Sequence, residues 1–371
     1  MAYGILHEIL ALGVNSNASD WHIKENGPVN LRIEGKMLAT DLIPDNDLML
    51  KIIDDMMDGD EKKKLKFDET GDIDLSYVEE DVGRFRVNIH RQRGSYGITM
   101  RHVKTRIRTF EELSVPPFLR KLAESERGII IVSGTTGSGK STTLAAMLDY
   151  INQTMRKHII TVEDPIEYEF FDKQSFFEQR EVGLDTSSFY SALIHALRQD
   201  PDVIMVGEMR DKESFEAALQ AADTGHLVLT TLHSSTASQA INRILDFYEF
   251  AEQGPIRDSL ALNLRAVVAQ RLIPRAFGGG VIPAVEVMVN TAIVRKLLDD
   301  NRLECLSEAI EVSQDEGVQS FNKCLYNLVN NGDVTEEDAM TAASNPEALK
   351  MRLKGIMLDS SQSGILNKGK R

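Results

Sequence analysis

The chain has 371 residues, 42% of them apolar and 27% charged, a composition that fits a soluble globular protein of two or three domains. A formal net charge of −15 opposes any polyphosphate surface, which excludes a general nucleic-acid binder but leaves room for a local nucleotide site. No run approaches eighteen apolar residues, and Met1–Leu12 has neither a basic start nor a cleavage site, so a cytoplasmic chain without a span or signal peptide is expected.

Residues 1–108 mix short alternating segments with turns. Val29, Leu31 and Ile33 alternate up to a turn at Glu34–Gly35; Ile73–Leu75–Tyr77 and Phe85–Val87–Ile89 alternate as well. Leu48 to Met57 has apolar residues at helical spacing, which together predicts a small α+β domain. The charged stretch Glu61 to Lys66 reads as a solvated helix face. Pro116–Pro117 interrupts regular structure, so residues 109–126 are expected to be a linker with a short helix.

Residues 127–290 have a different pattern. Ile129–Val132, His158–Val162, Val203–Val206 and Leu227–Leu232 are continuous apolar runs. Helical patterns lie between and after them at Lys140–Met155, Ser188–Gln199, Lys212–Asp223 and Ala237–Tyr248. Buried strands alternating with helices predict an α/β domain with a parallel-rich sheet covered on both faces. Residues 291–358 read as helical, with a turn at Asn331–Gly332 and a variant capping box from Thr335 to Asp338. Residues 359–371 are polar and basic and are expected to be a disordered tail. The cysteines, Cys305 and Cys324, cannot complete a four-ligand zinc site by themselves and read as packing.

The sharpest signal is Gly134-Thr135-Thr136-Gly137-Ser138-Gly139-Lys140-Ser141, which matches G-x-x-x-x-G-K-[ST] between an apolar strand and a helix. Glycines let backbone N–H groups turn toward phosphate oxygens, and the helix start adds a positive end. Lys140 can reach the β- and γ-phosphates of ATP, and the Ser141 hydroxyl can ligate Mg2+. Hydrolysis also needs a group that positions water. Glu163–Asp164 follow one apolar strand and Glu208 another; each is either functional or a polar strand end. His226 and His233 flank a third strand, in a structural or a coupling role. Arg84, Arg86, Arg91, Arg93 and Arg101 gather around the alternating strands of the first domain, as a solvated face or as contacts to a neighbouring phosphate.

Five segments then occur in order: Gly134–Thr142, Ile160–Glu167 (I-T-V-E-D-P-I-E), Gln179–Val182, Arg198–Asp211 (R-Q-D-P-D-V-I-M-V-G-E-M-R-D) and Thr224–His233 (T-G-H-L-V-L-T-T-L-H). With Ala18–His22 (A-S-D-W-H) and Val82–Asn88 (V-G-R-F-R-V-N), the chain resembles the type II/IV secretion ATPase superfamily, and within it the PilT/PilU twitching-motility group. The resemblance runs from about Leu6 to Gly355. It implies a PAS-like first domain, a RecA-like P-loop ATPase core and assembly as a homohexamer. ATP would be bound by Gly134 to Thr142, with Glu163 activating water and Glu208 near Mg2+. It makes Thr224–His233 a histidine box and makes Arg93 and Arg101 candidates for contact with the adjacent subunit's nucleotide.

The implied role is pilus retraction, at the cytoplasmic side of the inner membrane, against a platform protein, with a paralogous retraction ATPase as a further candidate partner. Asn263–Ala266 and Gln270–Pro274 look PilU-like, whereas Gly207–Asp211 looks PilT-like. Ala292–Asp299 (A-I-V-R-K-L-L-D) departs from the A-I-R-N-L-I-R-E that the PilT group usually carries. An accessory ATPase that works only beside a PilT-type motor is therefore a second expectation, and a nucleotide-gated scaffold a third.

Overall fold

The computed structural model describes residues 3–33 and 35–355, so the tail expected at 359–371 lies outside the described residues. Chain contacts divide the fold into two compact units. One runs up to Arg106 and includes Glu167–Glu169; the other holds the remainder.

The first unit begins with α1 (Tyr3–Asn15), β1 (Ala18–Lys24), β2 (Asn30–Ile33) and β3 (Lys36–Ala39). It continues with α2 (Asn46–Met57), α3 (Glu61–Thr70), β4 (Asp72–Glu79), β5 (Gly83–Gln92) and β6 (Ser95–His102). The strands form one antiparallel sheet in the order β3-β2-β1-β6-β5-β4. Alternation sends Leu31, Trp21, Ile23, Ile98, Met100, Val87, Ile89, Ile73 and Leu75 into one core with helix residues. The same alternation leaves Asp20, Arg101 and Arg86 in one cross-strand row on the other face. Helix α1 comes so close to β1 that a Cβ on Gly13 would stand 2.3 Å from the Trp21 ring. Trp21 Nε1 donates to the Ile9 carbonyl at 3.1 Å. The β5–β6 hairpin turns on Arg93 and Gly94, with φ of 49° and 81°, the left-handed pair of a two-residue turn.

In the second unit, residues 109–126 form two short helices, α4 (Phe110–Leu113) and α5 (Phe118–Ala123), where one helix within a linker was expected. Phe110, Leu119 and Leu122 are buried in the core beside the next helix, so apolar burial overrides the two prolines. The α/β core follows as β7 (Gly128–Ser133), α6 (Lys140–Thr154), β8 (His158–Glu163), β9 (Phe176–Glu181), α7 (Phe189–Ala196) and β10 (Val203–Val206). Then come α8 (Lys212–Asp223), β11 (Leu227–Leu232), α9 (Ala237–Leu245), α10 (Gln253–Asn263), β12 (Leu264–Pro274) and β13 (Val281–Val289). The sheet order is β13-β12-β7-β11-β10-β8-β9. Every neighbouring pair is parallel except β12 with β13. Strands β7, β10 and β11 are buried throughout, as helices on both faces require.

The C-terminal part is helical, as expected: α11 (Ala292–Asp299), α12 (Leu306–Val312), α13 (Phe321–Asn330), α14 (Glu336–Ala342) and α15 (Pro346–Leu353). Phe321, Leu325, Val334, Ala339 and Leu349 pack on Ala269, Ile273, Ile282 and Ala284 of β12 and β13 as a separate core. Only half of the capping box at Thr335 is present. The Asp338 N–H donates to Thr335 Oγ1, but the Asp338 carboxylate accepts from that same hydroxyl, because the Asp side chain is one methylene shorter than Glu.

Candidate active site

In a parallel sheet the loops after the strands gather at the carboxyl edge, where ligands bind. Four such loops matter here. Strand β7 ends in Gly134–Gly139, β8 in Glu163, β10 in Gly207–Glu208 and β11 in His233. Backbone bonds lace them together: Gly134 N–H to Leu232 O (3.3 Å), Gly207 N–H to Val162 O (2.8 Å) and Met209 N–H to Thr231 O (3.1 Å).

The phosphate loop has the shape its glycines predict. Gly134, Gly137 and Gly139 have φ of 155°, 79° and 89°. A Cβ at Gly134 would stand 2.3 Å from Ser138 Oγ, and one at Gly139 2.7 Å from Gln270 Nε2. Helix α6 starts at Lys140 on Gly139 as its cap, so Ser141 and Thr142 lie in its first turn. Lys140 Nζ donates to the carbonyls of Gly134 (3.0 Å) and Thr135 (3.1 Å), which aligns the ammonium along the loop. Ser138 is 3% exposed, and its Oγ is buried without a hydrogen-bond partner. An orphaned hydroxyl within a glycine-rich loop at the start of a helix fits an anion that accepts hydrogen bonds.

Glu163 is buried at the end of β8. Its Oε1 accepts from Thr161 Oγ1 at 2.7 Å and from Gln179 Nε2 at 3.1 Å, two donors that fix its orientation. Glu208 stands one sheet position away. Its Oε1 lies 3.2 Å from His233 Nε2, and its Oε2 lies 2.9–3.0 Å from the Arg210 guanidinium. The hydrogen bond to Glu208 raises the pKa of Arg210 further. His226 is not part of this cluster. It sits before β11, at the opposite end of the strand from His233, and its Nδ1 lies 2.9 Å from the Ala221 carbonyl. The arginines belong to the first unit. Arg101 Nε donates to Asp20 Oδ1 at 2.7 Å with its side chain 69% exposed, and Arg93 occupies the exposed β5–β6 turn.

Residue periodicity did not single out Gln270. It lies on β12, 3% exposed. Its Nε2 donates to the Ser138 carbonyl at 2.9 Å, and its Oε1 accepts from Thr143 Oγ1 at 2.8 Å. Both ends of one amide thus fasten the phosphate loop to α6. The one legible signal was a polar residue inside the apolar run A-V-V-A-Q. Beside it opens a cavity of about 440 Å³, bordered by Gly139 and Thr142 and by Arg108, Val115, Leu272, Arg275 and Pro283. Its size and mixed lining suit a nucleoside.

The Ser141 hydroxyl and the Glu208 carboxylate are hard oxygens, the donor type that Mg2+ takes. No cluster of three His, Cys, Asp or Glu that could hold a metal exists among the described residues.

Residues 4–326 match the type II/IV secretion system protein family. The type IV pilus retraction ATPase PilT of Pseudomonas aeruginosa is 39% identical over 341 residues, 92% of this chain and 98% of that one. The type IV pilus ATPase PilU of the same organism is 38% identical over 368 residues, 98% of this chain and 95% of that one. A solved structure of the pilus retraction motor PilT with bound ADP aligns with a TM-score of 0.86 at 41% identity, covering 93% of this chain and 98% of that one.

Proposed function

Because the chain belongs to the type II/IV secretion system protein family, we propose that it is an ATP-hydrolysing motor subunit of a type IV pilus machine, acting in retraction. The observation that carries this reading is the convergence of phosphate loop, Glu163 and the Glu208–His233 pair on one edge of the sheet. ATP phosphates rest on Gly134–Thr142, and the nucleoside enters the adjoining cavity. Ser141 and Glu208 would hold Mg2+, which would supply charge neutralisation on the phosphate oxygens. Glu163, held by Thr161 and Gln179, accepts a hydrogen bond from the attacking water. The water oxygen bonds to the γ-phosphorus as the bond to the β-phosphate oxygen breaks, giving ADP and phosphate.

The subunits form a homohexamer, in which Arg93 and Arg101 of one reach the nucleotide of the next. The ring works at the cytoplasmic face of the inner membrane against a pilus platform protein. A second reading, an accessory ATPase that contributes only beside a PilT-type motor, is supported by the near-equal identities to PilT and PilU and by the divergent sequence of α11. Steady-state ATP hydrolysis by the purified chain, beside Glu163→Gln, tests both. Turnover that vanishes in the variant with ATP affinity retained is expected of a self-sufficient motor. Turnover that appears only on adding a PilT-type partner selects the accessory reading, and none in either case refutes the motor.

A further inference from the structure

Two opposite charges stand near each other outside the phosphate site, one buried and one half-buried. Arg271 lies on β12 and Glu286 on β13. Arg271 faces Ala284 across the ladder and Glu286 faces Ala269, so the two are diagonal neighbours on one face of the sheet. Glu286 is 8% exposed.

Each side chain holds the same two segments. The Arg271 guanidinium donates to the Ser235 carbonyl at 3.1 Å, to Ser344 Oγ at 3.2 Å and to the Ala342 carbonyl. It also lies 4.0 Å over the Phe321 ring. Glu286 Oε1 accepts from the Ala237 N–H at 2.8 Å, and the carboxylate also accepts from the Phe321 N–H. Ser235 and Ala237 flank the end of the loop His233–Thr236 between β11 and α9. Phe321 opens α13, while Ala342 and Ser344 close α14 and lead to α15. One cation and one anion therefore tie the loop that carries His233 to the C-terminal helices from both sides.

Bringing two opposite charges partly out of water adds little stability over apolar residues of equal volume. What the pair does supply is directed bonding to two separate segments at once, which no apolar pair can give. The chain of contact then runs from α13–α15 through Arg271 and Glu286 to Ser235 and Ala237, then to His233 and, across 3.2 Å, to Glu208.

We propose that Arg271 and Glu286 are positioning residues that set the His233–Thr236 loop, and through it the His233–Glu208 pair, according to where helices α13–α15 stand. The C-terminal helices thereby adjust the hydrolytic edge without touching nucleotide. This rests on the reading above, in which His233 and Glu208 serve hydrolysis.

The test is a double-mutant cycle on the full chain, read by single-turnover release of labelled phosphate from ATP, with nucleotide affinity measured separately. Arg271→Met is expected to lower the single-turnover rate on the order of tenfold while leaving affinity within about twofold, as loss of one coupled polar network does. In a His233→Gln background, the same substitution is expected to cost less than about twofold, because the group it acts through is gone. Arg271→Lys keeps the charge over Phe321 but not the planar fork, and should recover part of the rate. If Arg271→Met fails to fold, Arg271→Lys and Glu286→Gln carry the same cycle. A full, undiminished loss in the His233→Gln background overturns the clamp alone, as does a fall in affinity that matches the fall in rate. If His233→Gln by itself leaves the rate intact, the hydrolytic role of His233 fails and takes the clamp with it.

Discussion

Gln270 offers a sharp test of how the phosphate loop is held. Gln270→Met keeps the side chain's volume and removes both polar ends. The Ser138 carbonyl and the Thr143 hydroxyl, the latter on a residue 1% exposed, then lose partners at 2.9 and 2.8 Å. A buried polar group left unpaired costs about 1–3 kcal/mol, so the loss of two should destabilise the second unit by roughly 2–6 kcal/mol. Thr143→Val leaves only the Gln270 Oε1 end orphaned, which predicts a loss of about 1–2 kcal/mol. The double variant no longer buries the lone hydroxyl. Nor does it hold the orphaned Oε1, so its loss should fall short of the sum of the single losses by about 2–5 kcal/mol. Urea unfolding measures the stabilities, and a fluorescent ATP analogue reports the loop in parallel, with affinity expected to drop in Gln270→Met. Losses that add to within about 0.5 kcal/mol would show that the two side chains are not coupled, and would refute the fastening described here.

Three further outcomes are expected. Lys140→Ala should abolish ATP binding; retained affinity for labelled ATP would disprove the phosphate-loop role. Arg93→Ala or Arg101→Ala should reduce turnover with nucleotide affinity largely intact, and unchanged turnover in both would end the proposed contact across subunits. The first unit should also be acid-sensitive. Burial pulls the pKa values of His22 and His102 below the ordinary 6.5, and the Nε2 of each is buried without a partner. The unfolded chain then binds protons that the folded one does not. Stability is full above about pH 6.5 and falls as the pH drops below it. His102→Gln should weaken that dependence, and melting curves of equal pH slope in both proteins would contradict it.

Much of this architecture could be read from residue order. Strands β7, β8, β10 and β11 announce themselves as unbroken β-branched runs because both their faces are covered, and α8 was bounded at Lys212–Asp223 from its spacing. The phosphate loop, Glu163, Glu208 and His233 each sit at the end of such a run, but strand position alone leaves each carboxylate either functional or a polar strand end; their roles come from the resemblance. Strand β9 escaped notice because, after Phe176 and Phe177, it reads Glu-Gln-Arg-Glu on a sheet edge. Strands β12 and β13 interleave Gln270, Arg271, Pro283 and Glu286 with apolar residues, which blurs any strand pattern. The tasks of those polar residues depend on which strand lies beside β7. That pairing joins segments more than a hundred positions apart, and nothing local encodes it. His226 and His233 look alike as strand flanks, yet a strand's two ends are its full length apart, and only His233 stands at the carboxyl edge beside Glu208.

Gln270 and Arg271 are adjacent, so their side chains leave β12 on opposite faces, one to the phosphate loop and one to the C-terminal helices. Their assignment is fixed by the pairing of Val268 with Val132 and Ala269 with Ser133, after a local irregularity between Leu264 and Ala266. Adding or deleting one residue between Ala266 and Gln270 would turn both side chains over. A guanidinium would then meet the buried loop, and an amide would stand where two segments need a fork. This stretch can therefore change by exchange of residues but not in length, and its spacing serves as a ruler for aligning distant relatives when overall identity is too low to guide the eye.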